Sequence, residues 1–329
     1  MKNQKELFEF IATRFNTKKE MKVFLARELS VSVDTVSKWA YNRSVLKFDT
    51  LKKIVSLLGL NPSDIFTLGA KDVIINYKSL DLNDIDSYKE HLSRVALFLA
   101  SAAGCSESIA VFLADEVPIF HLMAYPKLVY FKLYAYGYEM NSIEESYEEF
   151  ICRVQSYNLE PLFDEIVGRY NQISSTEIWD ENAIDSIISQ MQNLDALEKF
   201  NEPESKLELL DELSYLLQEL KMLAKSGRKS SGKSFNFFLK TTAVATGYVI
   251  IKTSHMQSLS MKLDTINSVT TYDKNMVEDL YRSFQASLEN SRIRGYVPEA
   301  ERQQYFKLLM RKIEHARQIL DKSPQLMYM

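Results

Sequence analysis

Residues 227–234 read GRKSSGKS and satisfy every fixed position of the phosphate-binding pattern G-x-x-x-x-G-K-[ST]. Such a loop grips phosphate when its backbone N–H groups, its lysine and the positive end of a following helix converge on one point. That requires a buried strand before the loop and a helix directly after it. Here the order is reversed. The preceding ELSYLLQELKMLAK has the pattern of a charged amphipathic helix, and the following SFNFFLKTTAVATGYVIIKTS, rich in aromatic and β-branched residues, reads as strand, turn, strand. No apolar strand ending in Asp stands nearby, since residues 248–251 run into Lys252. The order predicts a flexible basic turn whose Arg228, Lys229 and Lys233 are solvated or meet DNA or another anion.

Other chemistry is sparse. His91, His121, His255 and His315 are scattered, without the spacing of a metal site. Asp115 and Glu116 precede His121, a conceivable acid–base group, but adjacent surface carboxylates are common. We therefore expect no catalytic residue, no metal and no cofactor. A second candidate is FHLMAYPKLVYFKLYAYGY, residues 120–138, where Tyr125, Tyr130 and Tyr134 could line an effector pocket. The competing reading is core or subunit interface, because aromatic side chains bury so much area.

The elements at the start of the chain make the stronger claim. Leu7, Phe8, Ile11, Ala12 and Phe15 recur at helical spacing over residues 4–15. A second helix spans about 19–29. A third begins near Val33, with Ser32 placed to cap it and Asp34 in its first turn. Phe48, Leu51, Ile54, Val55 and Leu58 mark a fourth, which stops at Gly59 ahead of Pro62.

Within these helices, LARELSVSVDTVSKWA (25–40) resembles the helix-turn-helix of lambda-repressor/Cro-like (XRE-type) regulators, and FDTLKKIVSLLGLNPSDIF (48–66) resembles that family's closing helices. Ala26 and Leu29 match the small and apolar packing positions of the first motif helix, Val31 and Ser32 the turn, and Thr35, Val36, Ser37 and Trp39 the recognition helix. Ser30 and Asn42 stand where the family commonly has Gly, and a left-handed Ser30 costs about 1 kcal/mol. The resemblance implies binding to double-stranded DNA. Val33, Asp34 and Lys38 are its candidate base readers, with Ser37 and Arg43 also facing the groove. Lys22, Ser32, Asn42 and Arg43 would lie near phosphates.

Charge distribution agrees. Residues 1–68 carry 12 Lys+Arg and 7 Asp+Glu, a net +5, whereas the whole chain is −4, leaving −9 on the remainder. A basic module on an acidic body is the asymmetry expected when one end meets a polyanion. Cys105 and Cys152 form no disulfide framework, and the longest apolar stretch, residues 243–251, is far shorter than a membrane span. A cytoplasmic location is expected.

The rest of the chain reads as helices near 84–103, 142–156, 160–173, 180–197 and 204–225, after a short strand or linker at 73–77. Leu207, Leu210, Leu213, Leu217 and Leu220 form a stripe that packs within the chain or across a dimer. Three or four antiparallel strands follow, near 234–241, 246–254, 257–263 and 266–271, then helices at 274–290 and 298–321 and a frayed tail. The expectation is a mainly α protein in three parts. Residues 1–68 form a four- to five-helix DNA-binding module, 69–226 a helical dimerisation or sensor region, and 227–329 an α+β region with a small antiparallel sheet, which could be continuous with the part before it. Its expected function is that of a dimeric transcriptional regulator. The rivals are an adaptor or antitoxin-like protein whose body binds a partner protein, and a nucleotide-dependent enzyme built on residues 227–234.

Overall fold

A computed structural model of the protein describes residues 4–60, 73, 75–240, 243–289, 293–294 and 298–321. The final part of the 48–66 match and the tail after residue 321 lie outside the described residues.

The N-terminal module is built from α1 (Gln4–Ala12), α2 (Lys18–Glu28), α3 (Val33–Ala40) and α4 (Phe48–Leu57). Its core is a separate apolar cluster that includes Leu7, Phe8, Ile11, Phe24, Leu25, Val36 and Ile54. Thr17 and Glu20 form a reciprocal capping box at the start of α2, and Ser32 accepts a hydrogen bond from the Thr35 N–H at the start of α3. Ser30 and Asn42 are left-handed, with φ of +53° and +59°. The chain makes both turns without the expected glycines, and Asn tolerates that backbone better than Ser.

The body continues with α5 (Ile85–Ala103), β1 (Ile109–Ala114), α6 (Ile119–Leu122), α7 (Pro126–Met140), α8 (Tyr147–Gln155), α9 (Glu160–Asn171), β2 (Ser174–Trp179), α10 (Asp185–Ala196) and α11 (Pro203–Ser226). It ends with β3 (Phe235–Lys240), β4 (Tyr248–Lys252), β5 (Gln257–Lys262), β6 (Ser268–Thr271), α12 (Lys274–Glu289), β7 (Ile293–Arg294) and α13 (Glu299–Leu320). Pro126 opens α7, a position where its missing N–H has no cost.

The mainly helical class holds, and the C-terminal strands form where their composition placed them. The sheet, however, is neither small nor purely antiparallel. It has seven strands among the described residues, in the order β6-β5-β4-β1-β2-β3-β7, with β1, β2 and β3 mutually parallel at its centre. Two of those parallel strands come from the region expected to be helical between residues 84 and 225. Strands on both sides of residue 226 thus share one sheet. The segment at 73–77 contributes an isolated bridge, Asn76 to Thr270, at the β6 edge.

The two faces of the sheet differ. Phe112, Trp179, Phe235 and Phe237 point into a large core shared with α5 to α11 and α13. Val111, Ile178, Ile250 and Leu259 point to the other face, which is packed against α12 through Val277 and Phe284. The leucine stripe of α11 lies in the large core, with Leu210, Leu213, Leu217 and Leu220 all buried. It is consumed within the chain.

The N-terminal module is seated on the sheet's β4–β5 turn and the end of β6. Asn16 Nδ2 donates to the carbonyls of Thr253 and Ser254, at 3.2 and 2.9 Å. The Arg14 guanidinium lies 4.3 Å from the centroid of the Tyr272 ring and donates to the Leu58 carbonyl.

Candidate nucleic-acid interface

Helix α3 is amphipathic, and the module uses both of its faces. Val36 and Ala40 face the core, and Ala26 of α2 is the small residue at the crossing. Val33, Asp34 and Lys38 face solvent, while Ser37 is half-buried at the edge of that face. Asp34 and Lys38, one turn apart, form an ion pair at 2.7 Å, with both side chains more than half exposed. An exposed i,i+4 pair contributes only about 0.3–0.5 kcal/mol, so Lys38 can exchange it for a base or phosphate at little cost.

The end of α3 is held from a distance. Gln4, a buried residue of α1, donates through Nε2 to the carbonyls of Trp39 and Ser44, at 2.8 and 2.7 Å, and its Oε1 accepts the Leu46 N–H at 2.7 Å. These bonds fix the loop that carries Tyr41, Asn42 and Arg43. Tyr41 is exposed, with Lys22 Nζ 4.5 Å and the Arg43 guanidinium 5.8 Å from its ring centroid. Lys22, Asn42 and Arg43 are thus brought beside α3, with Lys47 and Lys52 exposed further along. Ser32 caps α3 with its side chain. All eight candidate residues lie in α2, α3 and the turns flanking α3.

Residues 6–71 match the Cro/C1-type HTH DNA-binding domain. Residues 61–71 of that match lie outside the described residues. Neither a curated protein nor a solved structure matches the chain. The Cro/C1-type module is therefore the part of the chain for which these comparisons give a counterpart, and that counterpart is a DNA-binding domain.

The other candidates fall elsewhere. Gly227 ends α11 in the left-handed conformation, with φ +64°, and β3 starts at Phe235. The GRKSSGKS loop therefore runs from a helix into a strand, and Lys233 and Ser234 sit at no helix N-terminus. Lys229 is not solvated. It is 3% exposed and donates to the carbonyls of Tyr170 and Ile173, capping the end of α9, with its ammonium 3.4 Å from the Tyr170 ring centroid. Burial pushes its pKa down to about 7, against the opposing pull of Glu177.

Tyr130 and Tyr134 belong to the large core, 2% and 0% exposed, and their hydroxyls are bonded to Glu160 and to the Glu145 carbonyl. They fill space rather than line an opening; Tyr125 is half-buried at the start of α7. Asp115 and Glu116 share a lysine, and His121 goes elsewhere. Glu116 pairs with Lys132 and Lys262 at 2.8 and 2.6 Å, and Lys262 also reaches Asp115. Burial would raise the Glu116 carboxyl, but the two ammonium groups hold it at about 2.

His121 turns to Glu177, a residue that the sequence reading passed over. Glu177 is fully buried on β2 and accepts bonds from His121 Nε2 at 3.0 Å, from Trp179 Nε1 at 3.0 Å and from the Tyr170 hydroxyl. Burial would push its carboxyl up, yet His121, Tyr170 and nearby Lys229 hold it below the usual range. Only the spacing of Glu177 and Trp179, two apart on one strand face, hinted at this centre.

Proposed function

We propose that the protein is a sequence-specific, DNA-binding transcriptional regulator acting as a dimer, with residues 69–329 serving as one body that sets the geometry of two Cro/C1-type modules. The observation that carries this reading is the α3 face: Val33, Asp34 and Lys38 stand in solvent, beside Arg43 and Lys22, on a helix whose other face is locked by Val36 and whose end is tied down by Gln4. Two recognition helices would enter successive major grooves of a near-palindromic site, about 34–36 Å apart. The α11 leucines are already used inside the chain and lend the pairing no support, so it rests on the two-fold symmetry with which such modules read DNA. The reading assigns the body no catalytic step.

Two measurements test it. Binding to duplex DNA should weaken linearly on a log–log plot against salt, with a slope set by the phosphates contacted. Light scattering at micromolar concentration should give the dimer mass on DNA. A salt-insensitive or absent interaction, with a stable complex to another protein instead, would favour the adaptor. A monomer mass with and without DNA would remove the dimer.

A further inference from the structure

The face of the sheet opposite the large core is covered by α12, and it is imperfectly filled. On β5, a strand that α12 packs against, the Gln257 side chain is 1% exposed, with neither amide atom hydrogen-bonded. Beneath the second half of α12 lies a cavity of about 160 Å³. One part of its wall is apolar, from Val111 of β1 with Phe284 and Leu288 of α12. Another is polar, from Ser174 and Thr176 of β2 with Gln285 of α12. Among the described residues, no Lys, Arg, His, Asp or Glu side chain lines it.

These walls limit what can bind. Among the described lining residues, none offers a charged ligand an ion-pair partner. Hydroxyl and amide groups both donate and accept, so they suit a neutral molecule with several polar groups. The space is smaller than the roughly 300–1,000 Å³ of drug-sized sites. The fitting occupant is small and uncharged, with an apolar face and a hydrogen-bonding edge, the size of a pyrimidine base or a monosaccharide.

The cavity also has a route to the Cro/C1-type module. α12 begins at Lys274, two residues after Tyr272, whose ring carries Arg14. The Tyr272 hydroxyl also lies against Gly59, where a Cβ would stand 3.5 Å from it. A ligand that reseats α12 moves the residue on which the module rests, and only a differential affinity for the two seatings is needed to change DNA affinity.

We propose that the cavity between β1, β2 and α12 is an effector site for a small uncharged molecule of this kind, and that its occupancy is passed through α12 and Tyr272 to the DNA-binding module. The coupling rests on the regulator reading above; the binding site does not.

The test uses the full chain with uracil and glucose as probes, read by thermal unfolding and calorimetry. At least one probe should raise the unfolding midpoint. Ser174→Leu, which fills the cavity, should abolish the rise, and Thr176→Val should weaken binding about tenfold, the loss of one hydrogen bond. No binding of either probe, or undiminished binding in both variants, overturns the site. DNA affinity measured with and without the probe then tests the coupling: a change in wild type that is lost in Tyr272→Ala supports it, and an unchanged affinity overturns it while the site stands. A protein that binds the probe but no DNA fails the regulator reading alone.

Discussion

Lys38 and Lys229 both occupy stretches with the spacing of a binding motif, and the structure puts them to opposite uses. Lys38 stands on α3 in solvent, paired with Asp34 across an exposed ion pair. Lys229 is buried beneath Tyr170, with both its carbonyl acceptors supplied by the chain. The same contrast separates the two regions around them. On the exposed face of α3 the polar groups are weakly paired and accessible. At the centre of the body, Glu177, His121, Tyr170 and Trp179 satisfy one another out of reach of water. A polar group is available for recognition when its present partners are cheap to leave. Where removing one partner strands a buried charge or donor, the group is structural.

The largest expected effect breaks the buried side of this contrast. Glu177→Ala strands three donors, including His121, and should cost about 3–5 kcal/mol in denaturant unfolding. DNA affinity per folded molecule should stay unchanged. On the exposed side, Lys38→Ala/Arg43→Ala should weaken specific DNA binding by about 2–4 kcal/mol while leaving stability within about 0.5 kcal/mol. A large loss of stability in that pair would erase the distinction between the two regions.

Gln4→Ala joins the two behaviours, because Gln4 is buried yet supports the exposed surface. Losing its bonds leaves the Leu46 N–H without its partner and should cost about 2 kcal/mol in unfolding of the module, with weaker DNA binding following.

Acid should act on the body through Glu116. Its folded carboxyl is held at about 2, below the ordinary 4.5, so its contribution is present above pH 4.5 and lost as pH falls toward 2. Glu116→Gln should flatten that part of the stability profile, measured by unfolding across the acid range. Smallest of all, Asp34→Ala should shift stability by only about 0.3–0.5 kcal/mol. By releasing Lys38, it should tighten nonspecific binding in a low-salt titration.

The contrast also marks what was legible in the sequence. Helical spacing and Ser32 as a cap are local properties, and the four helices of the module were readable from them, while the kind of module came from the resemblance of residues 25–40 to the XRE-type helix-turn-helix. The reversed order around GRKSSGKS was likewise readable as a local property. Strand β1, IAVFLA, was not: a short apolar run buried on both faces has no alternation to separate it from a helix segment. β2 was hidden because its Glu177 looks like a solvent-facing residue until His121 and Tyr170 arrive from other elements. The Gln4 clamp joins residues about forty positions apart, and no spacing rule reaches that far. The α11 stripe fitted either an internal or a dimer interface, and the helices that cover it settled the choice.

The most direct test of the central claim, that the exposed face of α3 reads DNA, is a selection from random duplex DNA. The full chain would be run at about 150 mM salt, where nonspecific phosphate binding is suppressed, beside the Lys38→Ala/Arg43→Ala variant. The account predicts enrichment of one two-fold symmetric site by the wild type and its loss in the variant. Equal enrichment of that site by both proteins would contradict it.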